Sequence, residues 1–261
     1  MRYKIFLFFC LIYSSFGNNY DSKIYIFSVR KSGTNLLSTF LDNLNVDFEK
    51  SHLLYSHKLK PFLLSPRKKG IILIRDPRDV CISGVFWRTD RWFDENPHSP
   101  QPLLNKQVRL DPTLLNIWNE ASFRGKLKIA IAHEFPLPFS QINIEYEIAK
   151  QLIENHRSRF LVIKFEDLIG SKGGGSDEKQ DEVIQEILKF FGIKIGKKKI
   201  QEAFNKSFGN TDKKEGTFRK GQIGSWKEYF DPEIISLFKE TMNDTLLEWG
   251  YEEEWDWEIE K

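Results

Sequence analysis

The chain has 261 residues, of which 40% are hydrophobic, 14% aromatic and 29% charged, the make-up of a globular protein with an aromatic excess. Lysine and arginine number 39 against 37 aspartates and glutamates, so a net charge of +2 gives no field for general nucleic-acid binding. The two cysteines, Cys10 and Cys81, exclude a disulfide framework and any cysteine-rich zinc or iron–sulfur site, which leaves stability to a packed core.

At the N-terminus, residues 1–4 are basic, residues 5–13 form an apolar run, and Ser15 to Gly17 bring small residues to where a signal peptidase cuts. We expect an export signal over residues 1–17 and a single domain over residues 18–261, hence a secreted or lumenal protein. The alternative is a buried first strand in a cytoplasmic one. The run is far shorter than the roughly 20 residues of a spanning helix, so no stable transmembrane segment is expected. Apolar runs at 24–28, 71–75 and 160–165 read as buried strands, and helical periodicity follows at 35–44, 77–87, 144–156, 181–191 and 232–249. Strands alternating with helices imply an α/β fold in three layers, a parallel sheet flanked by helices, with ligands held at the carboxyl ends of the strands. Residues 88–141 are rich in Pro, Trp and Phe and read as a loop-rich cap. Trp87, Trp92, Phe93, Trp118, Phe123, Phe135 and Phe139 there either line an apolar acceptor pocket or belong to the core. Residues 170–180 read as a surface loop, and the acidic tail 252–260 as a solvated end.

Three basic segments stand where an anion would be held. Ser28-Val29-Arg30-Lys31-Ser32-Gly33-Thr34-Asn35 joins the first strand to a helix: Gly33 permits the turn, the helix start offers free N–H groups, and Lys31 adds charge beside two hydroxyls. The Walker A string is absent, because Lys31 precedes the glycine. In the second segment an apolar strand ends on Arg75, Asp76 caps the next helix with Pro77 at its first position, and Ser83 follows eight residues after Arg75. Either Asp79 or a bound anion would balance the guanidinium. The third segment runs from Phe218 through Arg219, Lys220 and Gly221 to Gly224, Ser225 and Trp226. Any one of them alone is compatible with an ordinary turn or ion pair.

Together, in this order, they resemble the sulfotransferases that use 3′-phosphoadenylyl sulfate (PAPS), particularly the soluble type acting on small hydroxyl acceptors. Residues 30–35 resemble that family's PKSGTT loop, Arg75 with Ser83 its 3′-phosphate site, residues 219–227 its RKGxxGDWK segment, and Phe165-Glu166-Asp167-Leu168 its YEDL. The resemblance implies a P-loop-like fold. It assigns Arg30, Lys31, Ser32, Gly33, Thr34 and Asn35 to the 5′-phosphosulfate, and Arg75, Ser83, Arg219, Lys220 and Gly221 to the 3′-phosphate. It also assigns Phe165 and Phe208 to the adenine. Leu36 stands where the family usually has an adenine-stacking Trp, and Phe165 replaces a Tyr.

Lys50-Ser51-His52 resembles the family's KTH, and its 23-residue distance to Arg75 fits the family interval, so His52 is the candidate base and His57 the runner-up. A neutral histidine takes a hydroxyl proton near pH 7. Lys31 would stabilise the leaving phosphate and Lys50 the sulfuryl oxygens. The implied co-substrate is PAPS, with no metal, and the partner is a small-molecule, carbohydrate or lipid acceptor with a free hydroxyl or amine. Two other readings compete: an exported nucleotide- or sulfated-ligand-binding protein without turnover, and a P-loop kinase. The kinase needs a lysine after the glycine, which is missing. Oligomeric state is not legible in a single chain.

Overall fold

The computed structural model describes residues 23–54, 56–91, 112–132, 142–208 and 220–259. The proposed export signal, and Trp92, Phe93, Phe135, Phe139 and Arg219, lie outside them. Four parallel strands, β1 (Ile24–Ser28), β2 (Phe48–His52), β3 (Gly70–Ile74) and β4 (Phe160–Lys164), form a sheet in the order β2-β1-β3-β4. Its helices are α1 (Thr34–Leu44), α2 (Leu59–Leu63), α3 (Pro77–Arg91), α4 (Pro112–Glu120), α5 (Phe123–Ala132), α6 (Ile142–His156), α7 (Phe165–Leu168), α8 (Asp177–Phe191), α9 (Lys197–Ser207) and α10 (Pro232–Glu248). No described helix is long and apolar enough to cross a membrane.

The side-chain period of two builds the expected three layers. On β1 and β3, Tyr25, Phe27, Ile72 and Ile74 face a core with Trp118, Leu127, Tyr146 and Phe238, contributed by α4, α5, α6 and α10. Their neighbours Ile24, Ile26, Ile71 and Leu73 face the opposite core with Leu37, Phe40, Ile184 and Phe204 from α1, α8 and α9. All five residues of β1 and of β3 are buried, which is why these strands read as unbroken apolar runs. The chain leaves β1 toward one edge and returns to pair β3 on its other side. The carboxyl ends of β1 and β3 therefore form the crevice where such sheets hold ligands.

Three expectations need correction, and one strand went unread. The segment 88–141 is not loop-rich throughout: α4 and α5 lie in it, with Leu127, Ala130 and Ile131 buried, and Trp118 belongs to the core. Phe123 stacks between Phe86 and Tyr229, with ring centroids 4.6 and 5.2 Å away. Residues 170–180 are partly helical, because Ser176 Oγ accepts the Lys179 N–H at 3.2 Å and starts α8 at Asp177. β2 escaped notice because a polar edge strand, FEKSH, carries no apolar signal.

The tail, finally, is not simply a solvated end. Trp257 is buried beside Trp226, its indole N–H donates to Asn243 Oδ1 at 2.7 Å, and Glu252 pairs with the buried Arg78. Arg78 lies over the rings of Trp226 and Trp257 at 4.0 and 4.7 Å, so the tail closes the core near the start of α3. Trp257→Phe keeps an aromatic ring in the core, though a smaller one, and strands Asn243 Oδ1. It should cost about 1–2 kcal/mol in urea unfolding while leaving ligand binding unchanged.

Candidate active site

The loop after β1 is built to receive an anion. Gly33 caps α1 with φ 87°, a left-handed conformation, and as a glycine it brings no side-chain acceptor to the helix's first N–H groups. A Cβ at Gly33 would stand 2.5 Å from the Phe165 ring, so this glycine is required by space as well as by φ. Lys31 is also left-handed, at φ 65°. The Ser32 hydroxyl is buried with no hydrogen-bond partner among the described residues, an unusual state for a polar group.

Two buried residues from α6 pin the loop after β1 and the end of β3, and the sequence reading missed both. Glu145 is fully buried, accepts the Arg30 backbone N–H at 2.8 Å and pairs with the Arg30 guanidinium at 2.9 Å. Burial pushes its carboxyl up while Arg30 pulls it back. The Tyr146 hydroxyl donates to the Arg75 carbonyl. The signal was in the periodicity: Glu145 lies three residues after Ile142, inside the buried stripe of its helix.

β2 brings the second group of residues. In the parallel register Ser28 lies opposite His52 and Ile26 opposite Lys50, so Lys50 and His52 share the face that carries α1. Lys50 Nζ donates to Asn35 Oδ1 at 3.0 Å and Ser38 Oγ at 3.4 Å, which sets its charge beside the first turn of α1. His52 as a whole is exposed, but its Nδ1 edge turns inward to the fully buried Ser28, Nδ1 to Oγ 3.0 Å. Ser28 Oγ in turn lies 2.8 Å from Thr34 Oγ1. Burial of that edge, then the charges of Arg30, Lys31 and Lys50, push the imidazole down to about 4, against a weaker opposing bond from the Ser28 backbone. His57 is exposed on the turn before α2.

Arg75, at the end of β3, is 6% exposed and fastens three segments together. It donates to Asp79 Oδ2 at 3.2 Å, to the Gln222 carbonyl at 2.8 Å and to the Lys31 carbonyl at 3.3 Å. Asp79 also accepts the N–H groups of Gly224 and Trp226, at 2.9 and 3.0 Å, and so holds the third basic segment against α3. The Asp79 partnership weighed from the sequence is present, yet Arg75 Nε is buried with no partner among the described residues. The loops after β1 and β3 and the loop before the turn Ser225–Glu228 thus meet at one end of the sheet.

Residues 148–250 match the sequence profile of the sulfotransferase domain. Over that stretch, which is less than half of the chain, the sequence is similar to a sulfotransferase domain. Three solved structures share its fold: mouse sulfotransferase SULT7A1 complexed with PAP, at 16% identity and TM-score 0.56, covering 85% of this chain and 84% of that one; retinol dehydratase with androsterone and inactive cofactor PAP, at 15% and 0.57, covering 86% and 80%; and retinol dehydratase with retinol and PAP, at 15% and 0.55, covering 86% and 81%. At such identities the likeness speaks for the fold. No curated protein sequence matches the chain.

Ser83 is buried on α3, Gly221 takes φ 61° and Lys220 is exposed and paired with Glu228 at 2.7 Å. Gly221 and Gln222 run against the turn Ser171–Gly173, where Ile223 N–H donates to the Gly173 carbonyl at 3.0 Å. The Phe165 ring is buried between Gly33 and the Arg75 guanidinium, 4.4 Å from its centroid, so it supports both anion segments from beneath. Phe208 is half-buried at the end of α9 with Lys172 Nζ 5.9 Å from its ring. Glu166 accepts the Asp76 N–H at 2.8 Å, and burial pushes its carboxyl up to about 7. Trp87 is half-buried with Lys31 Nζ 5.6 Å from its ring, the one described member of the aromatic set that touches the loop.

Proposed function

We propose that this chain transfers the sulfuryl group of PAPS to a free hydroxyl or amine of a small-molecule, carbohydrate or lipid acceptor, with His52 as general base. The observation that carries the reading is the gathering of Lys31, Lys50 and His52 around the uncapped start of α1. The buried, unpartnered Ser32 hydroxyl and Arg75 Nε fit a ligand with anionic groups at both ends. PAPS would bring the sulfuryl group and a good leaving phosphate. The loop N–H groups and Lys31 would hold the 5′ end and stabilise charge developing on the leaving oxygen. Arg75, Ser83, Arg219, Lys220 and Gly221 would hold the 3′-phosphate. His52 would take the acceptor proton while Lys50 steadies the transferring oxygens. Trp87 beside Lys31 would offer the acceptor an apolar wall. Residues 1–17 are read as an export signal, which brings this activity to a lumenal or secreted setting.

Calorimetric titration with adenosine 3′,5′-bisphosphate (PAP) tests the donor site without knowledge of the acceptor. Binding should be weakened at least about tenfold with 5′-AMP, and by a similar factor in Arg219→Ala, since a factor of ten is about 1.4 kcal/mol, on the scale of one charge-assisted contact. A folded protein that does not bind PAP sinks the reading.

A further inference from the structure

The three groups Thr34, Ser28 and His52 form a hydrogen-bonded row from the anion loop to the candidate base, with Oγ1 to Oγ 2.8 Å and Oγ to Nδ1 3.0 Å. Ser28 is fully buried in the middle of it, and Thr34 is the first residue of α1. We propose that Ser28 is a positioning residue through which an anion bound in the loop sets the tautomer of His52. The inference rests on the functional reading above.

The argument is a count of protons. Each hydroxyl has one proton to donate and lone pairs to accept with. When a phosphate or sulfate oxygen occupies the loop, Thr34 O–H donates to it, because an anion only accepts. Thr34 Oγ1 is then left as an acceptor, and the Ser28 proton turns toward it. Ser28 Oγ can now only accept from His52, so the ring must carry its proton on Nδ1. The Nε2 lone pair is thereby free, and this is the nitrogen that takes the acceptor's proton. When the proton arrives, the imidazolium keeps its Nδ1–H to Ser28 and nothing else in the row has to move.

With no anion in the loop the row can run the other way. Thr34 donates to Ser28, Ser28 donates to Nδ1, and the ring proton sits on Nε2, where it blocks the base. Donor occupancy thus selects the competent tautomer, and the base is ready only when there is a group to transfer. The register makes the row possible: Ser28 and His52 are directly opposed on parallel strands and share a face with α1.

Nitrogen-15 NMR of labelled histidine reads the tautomer directly, with PAP as the probe. In the wild type, saturation with PAP should move His52 toward a protonated Nδ1 and an unprotonated Nε2. In Ser28→Ala, PAP should still bind within about twofold of wild type, the tautomer should no longer respond, and kcat should fall about ten- to a hundredfold with little change in the donor KM. Ser28→Thr, which restores the hydroxyl on a strand-compatible side chain, should recover the response. If PAP binds and the His52 pattern is unchanged, or changes equally in Ser28→Ala, the inference is overturned and the functional reading stands. If PAP does not bind at all, the functional reading fails and the inference fails with it. Should Ser28→Ala not fold, the wild-type titration alone decides.

Discussion

Alanine in place of His52 should lower kcat by about 10²–10⁴ while PAP affinity stays near the wild-type value, the signature of a lost general base. The geometry supports the separation. His52 touches Ser28 and stands beside the cations of the loop, whereas the loop's own N–H groups and hydroxyls belong to residues 29–35. The pH profile carries a second expectation. The ring is pushed down to about 4, so it is neutral, and able to accept a proton, at any pH above that. Anionic groups bound in the loop would offset Arg30, Lys31 and Lys50, the charges that depress it, and so raise its midpoint. The acid limb of kcat at saturating donor should therefore lie above 4, with activity lost as pH falls through it, and should be absent from the residual rate of His52→Ala. Steady-state rates across pH 4 to 9 check both points. A variant with wild-type kcat would transfer the role to another group, His57 first.

What the sequence revealed and what it hid follow from where burial is complete. β1, β3 and β4 were legible because strands covered by helices on both faces must be apolar. The loop at 29–33 and the Arg75 segment were legible because glycine, proline and a capping carboxylate leave local marks that need no tertiary contact. β2 was hidden by its polar edge, and α9 by a stripe narrowed to Ile200, Ala203, Phe204 and Ser207 among lysines. The same edge strand carries Lys50 and His52, so the family resemblance located residues whose secondary structure the pattern could not. Glu145 and Ser28 were missed for a different reason. Glu145 is one of several polar residues of α6 and Ser28 is the polar end of β1, and only the fold shows that the first meets Arg30 and the second joins Thr34 to His52.

Position by position, the site depends more on packing than its motifs suggest. Phe165, which the resemblance points toward the adenine, is enclosed by Gly33 and Arg75, and both anion segments rest on its ring. A ring in that place separates the two segments without offering them a hydrogen bond. The Tyr hydroxyl that the family usually carries there is absent, and the support is purely steric. Any change in the height of that ring is transmitted to both ends of the donor site, because close-packed interiors pass on small displacements.

Gly33→Ala tests this dependence and should have the largest effect on stability of any single change in the loop. Two costs coincide at the residue. Its φ of 87° is left-handed, which costs an L-residue about 1–2 kcal/mol, and the added Cβ would stand 2.5 Å from a buried ring that has Arg75 on it, an overpacking cost of about 1–3 kcal/mol. The sum, about 2–5 kcal/mol, should appear as a lower urea midpoint at unchanged slope, together with loss of PAP binding as the loop is lifted from Phe165. Gly192→Ala separates the terms. Gly192 ends α8 at φ 68° with nothing within 4 Å of a Cβ, so it bears the conformational cost alone and should lose only about 1–2 kcal/mol with PAP binding intact. The difference between the two variants measures the contact with Phe165. Equal losses, with PAP binding retained in both, would mean that the loop can rise off the ring without consequence and that Phe165 does not set its position.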